Sequence, residues 1–310
     1  MDGPDELAPV LALLPETARE LRQLAGPRRP WFVRYGSREA VLRPNDPARF
    51  RGLHFKTELA LTSIGWLHRF LRDLASGGFT APAPIEDLNG QSIAVVDGTI
   101  WELLSFVPGQ PMGWTDIEIH EAGGLLARFH EASRATPRRA QRPGSTPVED
   151  CRPEHTDARR LRSRFEDELA NIDHHSARRA VVHGDATQSN VVAEGQTFHL
   201  VDFALAYDEA VLFDLGSALW RNGRSSPDAI TYDPRRAATF VRGYAAVRPL
   251  SLADGHAIVV YMKGRGLQLQ HRLELREGRD DTVMQRLLSI DAQQSELEHA
   301  IAEALESGHA

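Results

Sequence analysis

The sequence predicts an α+β protein of two lobes, a small β-rich one followed by a larger, mainly helical one. Three observations carry this. Short apolar runs bounded by turn residues crowd the stretch 31–106. From residue 115 onward, apolar residues recur at helical spacing. A single strand–turn–strand signal, 181–203, interrupts the helical half. The boundary falls after Val107, giving lobes 1–107 and 108–310.

The first lobe opens with residues 6–24, which read as helical with Leu7, Val10, Leu11 and Leu14 on one face. Pro15 is expected to split this stretch into two short helices. Trp31–Tyr35 reads as a strand, Gly36-Ser37 as a turn and Glu39–Arg43 as the hairpin partner, ended by Pro44. A helix is expected over 53–76, carrying Leu59, Ile64, Leu67, Phe70 and Leu71. Ser92–Val96 and Ile100–Phe106 form a second hairpin around Asp97-Gly98, a dipeptide that tolerates the left-handed backbone of a tight turn.

In the second lobe, Thr115 and Glu118 have the spacing of a capping box. The helix behind them carries Ala122, Leu125, Leu126 and Phe129. Residues 135–148, rich in Pro, Arg, Gly and Ser, read as a loop, followed by an amphipathic helix near 156–172. Further helices are expected near 234–246, 251–275 and 281–307.

Composition narrows the function classes. The 310 residues carry a formal net charge of -7 with no long run of one sign, which argues against a nucleic-acid partner. The single cysteine, Cys151, can form neither an intramolecular disulfide nor a cysteine metal cluster. The acidic start lacks the features of a signal peptide, and no apolar run reaches the roughly 20 residues that span a bilayer. The expectation is a soluble cytoplasmic protein, monomeric or homodimeric, without membrane partners.

The chemistry concentrates in His183-Gly184-Asp185-Ala186-Thr187-Gln188-Ser189-Asn190, which runs into a hairpin turning at Glu194-Gly195 and ending at Asp202-Phe203. Pairing centred near residue 195 or 196 places Asn190 almost opposite Asp202. An amide oxygen and a carboxylate then meet at one end of the hairpin, with Asp185 on the loop leading in. Hard oxygen ligands of this kind suit magnesium, and a further carboxylate close by can accept a hydroxyl proton.

The pattern H-G-D-x4-N, then a strand and D-F, resembles the catalytic core of the aminoglycoside phosphotransferase and choline kinase-like superfamily. Phe213-Asp214-Leu215-Gly216 resembles that family's D-[LI]-[GA] element. The resemblance implies a two-lobed protein-kinase-like fold and a small-molecule kinase using ATP or GTP with Mg2+. It gives Asp185 the role of base, Asn190 and Asp202 the role of magnesium ligands, and His183 and Asp214 the role of supports of the loop. More weakly, Trp101–Gly109 is similar to the last N-lobe strand and hinge, with the backbone of Leu104, Ser105 and Phe106 meeting the adenine. Arg43 stands where the family usually has a phosphate-gripping lysine, and Glu58 is its expected ion-pair partner. The segment before the first strand is not a G-x-G-x-x-G; it offers only Gly26 with Arg28 and Arg29.

The acceptor is less legible. Lys263, Arg265, Gln268 and Arg272 lie on one predicted helix, and Arg265 and Arg272, seven apart, share a face that suits a carboxylate. Asp208 and Glu209 would instead draw a polyamine sugar. The first expectation is thus an aminoglycoside or other aminated natural product. The second is homoserine, choline or a related small alcohol. A third, of another class, is a nucleotide-binding pseudokinase scaffold.

Overall fold

Two strands at the start of the chain set the register of the N-terminal sheet. The computed structural model describes residues 7–24, 29–45, 57–135, 150–172, 178–275 and 281–307, the backbone alone for 57–60 and 135. The chain divides into two compact units, Met1–Pro108 and Gly109–Ala310.

The N-terminal unit contains α1 (Ala8–Leu11), β1 (Ala18–Gln23), β2 (Trp31–Tyr35), β3 (Arg38–Asn45), α2 (Thr57–Ser76), β4 (Ile93–Val96) and β5 (Thr99–Ser105). The five strands form an antiparallel sheet in the order β1-β2-β3-β5-β4. Val33, Tyr35, Ala40, Leu42 and Leu103 are buried in its core with Leu7 and Val10. Both expected hairpins form. Asp97 and Gly98 adopt φ values of 50° and 77°, the conformation that Asp-Gly was chosen for.

Two expectations are corrected here. The second half of 6–24 is not helical but is the edge strand β1, pairing Leu21 with Val33 and Gln23 with Trp31. Its charged, helix-favouring residues suit an edge, where Glu20 meets Arg34 at 2.6 Å and no hydrophobic face has to be buried on both sides. Nor does Pro44 end β3, which runs on to Asn45. The β2–β3 register closes at Trp31 and Leu42, so Pro44 pairs only with Trp101 of β5, and an edge position tolerates its missing N–H.

The C-terminal unit begins with β6 (Gln110–Pro111) and α3 (Asp116–Ala132), then α4 (Thr156–Ala170), β7 (Arg179–Val182), β8 (Val191–Glu194), β9 (Thr197–Leu200) and β10 (Tyr207–Ala210). Five helices follow: α5 (Val211–Asn222), α6 (Pro234–Val247), α7 (Leu252–Glu274), α8 (Asp281–Ala292) and α9 (Gln294–Ser307). The Thr115–Glu118 capping box is present, and Glu118 also accepts the amide of Gly113 at 2.6 Å. The loop expected over 135–148 lies, apart from Ala135, outside the described residues, as do Gly26 and Arg28.

Three features escaped the sequence reading. Strand β10 pairs antiparallel with β7, and α5 follows it directly. The helix expected over 281–307 is broken at Gln293, whose side-chain amide accepts from the Tyr232 N–H and donates to the Tyr232 carbonyl, both at 3.1 Å. Among the described residues, no helix is long and apolar enough to cross a membrane.

Candidate active site

The loop after β7 is held from below by a buried carboxylate. Asp214, on the first turn of α5, accepts the amide N–H of His183 through Oδ2 and that of Gly184 through Oδ1, both at 2.8 Å. His130 of α3 reaches the same Oδ2 through Nε2 at 3.0 Å, and Tyr244 of α6 meets His130 Nδ1 at 2.9 Å. The four groups form one chain of bonds: the tyrosine hydroxyl donates to a neutral imidazole, which donates to a carboxylate, which accepts two loop amides. Burial lowers the His130 proton affinity more than Asp214 raises it. Burial also works against charge on Asp214, but its bonds to His130 and to the His183 amide prevail, so the carboxyl lies below its ordinary range.

His183 carries the constraint onward. Its Nε2 donates to the Val201 carbonyl at 3.0 Å and its Nδ1 accepts the Asp185 amide at 3.3 Å. The ring packs 4.7 Å from Phe203, which in turn lies 5.4 Å from Phe129. Gly184 sits at φ 74°, and a Cβ there would lie 2.7 Å from the Leu205 carbonyl oxygen, so both backbone and space demand glycine. Gly216 is required by close approach: a Cβ would lie 2.8 Å from the Met262 amide nitrogen of α7.

Asp185 thus emerges from a fixed loop, with its side chain 35% exposed. Asn190 donates through Nδ2 to the Asp185 carbonyl at 2.8 Å and to its carboxylate at 3.1 Å. No described residue donates to Asn190 Oδ1, so this oxygen is available to a cation. The hairpin register pairs Val191 with Leu200, and the Val201 amide donates to the Asn190 carbonyl at 2.9 Å. Asp202 therefore follows directly on the residue opposite Asn190. Its backbone is left-handed, φ 57° and ψ 62°, a conformation that costs a non-glycine residue on the order of 1–2 kcal/mol. The buried Phe203 next to it holds that turn in place. An amide oxygen and a carboxylate carried at the same end of the hairpin are hard donors of the kind that fits magnesium.

Sequence reasoning missed the other clamp on this loop. Asn222, the last residue of α5 and fully buried, accepts the Gln188 amide and donates to the Ala186 carbonyl, both at 3.0 Å. Gln188 in turn donates to the Met112 and Gly113 carbonyls at 2.9 and 3.2 Å, tying the loop to the start of α3. No local pattern marks Asn222, since its partners lie more than 30 residues away.

In the N-terminal unit, Arg43 is buried against Glu102 of β5, with Nε and Nη2 each 3.0 Å from a different carboxylate oxygen. The two residues are cross-strand partners in the β3–β5 register. His68 adds a contact at 2.9 Å, Asn45 a further hydrogen bond, and Ser92 accepts or donates at His68 Nδ1. The expected partner of Arg43, Glu58, lies with its side chain outside the described residues; the described fork closes on Glu102 instead. Burial opposes ionisation of Glu102, yet the Arg43 charge and the His68 bond hold its carboxyl far below the usual range. Glu102→Gln is expected to strand a buried guanidinium and to lower unfolding free energy by about 3–5 kcal/mol, read from urea denaturation. The amides expected to face an adenine are engaged within the unit: Ser105 donates to Ala83 at 2.7 Å and Phe106 to Glu39 at 3.2 Å, while Leu104 pairs with Val41.

The candidate acceptor residues separate. Arg265 comes to Asp185, its Nη2 3.9 Å from Oδ1, with its side chain only 11% exposed and its Nη1 3.4 Å from Gln268. Arg272 lies two turns further along α7. Lys263, two residues from Arg265 in the same helix, is buried and committed to Glu168 and Gln294. Asp208 and Glu209 both engage Arg179, at 3.5 and 3.4 Å.

Residues 18–250 match the model of the "Phosphotransferase enzyme family". Among curated proteins, the chain is 29% identical over 213 residues to a homoserine kinase of Methylobacterium radiotolerans, the match covering 64% of each chain. It is 26% identical over 229 residues to a homoserine kinase of Gluconobacter oxydans, covering 69% of this chain and 71% of that one. The match therefore spans less than two thirds of the first of these relatives. Among solved structures, the fold is similar to a microcompartment-associated aminopropanol kinase, with TM-score 0.69, 17% identity and coverage of 98% and 99%. It is also similar to the amicoumacin kinase hAmiN, with TM-score 0.71, 13% identity and coverage of 96% and 94%. A choline/ethanolamine kinase family protein from Mesorhizobium loti gives TM-score 0.64 at 16% identity, covering 96% and 99%. These likenesses bear out the two-lobed, protein-kinase-like α+β fold expected from the sequence.

Proposed function

This chain belongs to the phosphotransferase enzyme family, and from that premise we propose that it moves the γ-phosphate of ATP to the hydroxyl of a small acceptor bearing a carboxylate, of the homoserine kind. The observation that carries the choice of acceptor is Arg265, a nearly buried guanidinium beside the candidate base. A guanidinium binds a carboxylate as a two-pronged fork, and one placed there sets the acceptor hydroxyl next to Asp185. The homoserine kinases among its relatives support the same class.

In this reading Asp185 receives the hydroxyl proton as the acceptor oxygen bonds to the γ-phosphorus and the bond to the β-phosphate oxygen breaks, releasing ADP. Asn190 Nδ2 fixes the carboxylate for that task. Asn190 Oδ1 and Asp202 would hold a magnesium ion, which would supply neutralisation of the phosphate charge. Within the N-terminal unit, the phosphate contact is assigned to Arg43, which Glu102 holds in place, while the amides of Ser105 and Phe106 are already engaged. The acceptor first expected from the sequence, an aminated natural product, has less support, because Asp208 and Glu209 both face Arg179, although Asp208 Oδ1 has no hydrogen-bond partner among the described residues.

The test is magnesium-dependent transfer from ATP and from GTP to L-homoserine, 3-aminopropan-1-ol, choline and aminoglycosides. Homoserine is expected to be phosphorylated, and its decarboxylated analogue poorly. Arg265→Gln is expected to raise the homoserine KM by about 10- to 100-fold, the worth of one charge-assisted contact, with the KM for ATP unchanged. Turnover of only an aminated acceptor would overturn the carboxylate assignment. Nucleotide binding without transfer to any acceptor would favour the scaffold reading.

A further inference from the structure

Beyond Asn222 the chain builds a second basic cluster that the reaction above does not use. Residues 223–233 fold back on themselves: Asp233 donates to Gly223 at 2.9 Å, Ser225 to Thr231 at 3.1 Å, and Arg224 bridges to Tyr232. Arg224 is only 5% exposed. Its Nε donates to the Arg221 carbonyl at 3.1 Å, which caps the end of α5 and fixes the side chain. Arg286 of α8 donates through Nε to the Ala229 carbonyl at 3.1 Å, at the tip of the same excursion. Among the described residues, these three arginines make no ion pair, and their terminal nitrogens have no hydrogen-bond partner. Burial, with Arg286 and Arg221 adding repulsion, holds the Arg224 guanidinium down to about 10; Asp228 offsets this only in part. Two like charges brought up to a buried one, in a chain of net charge -7, make an arrangement that an anion would relieve.

Helix capping accounts for one nitrogen of Arg224 and leaves the rest of the fork unexplained. The cluster is also joined through the chain to residues that support the candidate chemistry. Arg224 follows Asn222, which grips the loop at Ala186 and Gln188, by two residues. Trp220 and Leu287, neighbours of Arg221 and Arg286, both pack on Gly266 of α7, adjacent to Arg265.

We infer that Arg221, Arg224 and Arg286 form an anion-binding site that takes a carboxylate or phosphate group of a small molecule. It draws on a different set of residues from Asp185, Asn190 and Asp202, and it stands whether or not the proposed transfer occurs. The acceptor's own anionic group and a separate anionic effector share this chemistry.

Isothermal titration of the full chain with inorganic phosphate, and in parallel with succinate, at low ionic strength tests the site. The titration is run with and without excess ADP, so that any binding at nucleotide phosphate contacts is removed. One saturable site that survives ADP is expected. Arg224→Gln should weaken it by at least about 10-fold. Arg221→Gln, a change at an exposed side chain that the fold tolerates, and Arg286→Gln should each weaken it by about 5-fold. Loss of phosphate binding on adding L-homoserine would move the acceptor's carboxylate from Arg265 to this cluster. Simultaneous binding of phosphate and homoserine would identify a separate effector. No saturable binding in the presence of ADP, or equal affinity in wild type, Arg221→Gln and Arg286→Gln, would overturn the inference.

Discussion

Asp185→Ala is expected to lower kcat for phosphate transfer by about 10²- to 10⁴-fold, while nucleotide affinity stays within about twofold of wild type. The carboxylate is partly exposed and supports no core contact, so stability should move by no more than about 1 kcal/mol. Its neighbours sharpen the experiment. Asn190 Nδ2 donates to Asp185 Oδ2, and an asparagine at 185 can still accept that bond through its carbonyl. Asp185→Asn therefore keeps the local geometry and removes only the basic oxygen. A coupled assay of ADP release, run beside calorimetry of nucleotide binding, separates the two effects. An active Asp185→Asn enzyme would remove the base from the mechanism and leave Asp185 a positioning role.

The second large effect belongs to Asp214. Its two oxygens receive the His183 and Gly184 amides and the His130 imidazole, all away from water. Asp214→Asn presents an N–H2 group to one of these donors and removes the charge that the others face. A loss of about 3–5 kcal/mol is expected, measured as a lower urea midpoint with an unchanged slope. Activity should fall as well, because Asp185 follows directly on the two released amides.

The same network makes stability depend on acid. His130 and Asp214 both take up protons less readily when folded than when unfolded. The unfolded chain therefore binds more protons as pH falls, and stability falls with it. The His130 contribution is complete above its unfolded pKa, about 6.5, and declines below it; the Asp214 contribution declines below about 3.9. Urea midpoints should drop progressively on acidification from neutral pH. In Asp214→Asn the second, more acidic part of that drop should be smaller, with Glu102 still contributing to it.

Much of the candidate site was legible because it is contiguous in the chain. The segment His183–Asn190, its hairpin and Asp202 lie within 20 residues of one another, and a turn at Glu194-Gly195 is enough to align Asn190 with Val201. Asp214 was legible as part of a short motif, and the Thr115–Glu118 box as a three-residue spacing. What failed locally was 18–23, whose helix-favouring residues became a strand because β2 offered an unpaired edge. The break at Gln293 escaped for the same kind of reason, since the residue it grips, Tyr232, is remote in sequence.

By itself, then, the sequence determined the two-lobed α+β class, the reactive loop and its hairpin, because periodicity, turn residues and short spacings act over a few residues. Only the tertiary structure decided who meets whom among the buried charges. Strand register joins Arg43 to Glu102, 59 residues apart. Helix packing brings His130 to Asp214, Arg265 to Asp185, and Arg286 to the loop carrying Arg224. A buried charge must be matched by whichever group the packed elements carry to it, and that choice is made across the fold rather than along the chain.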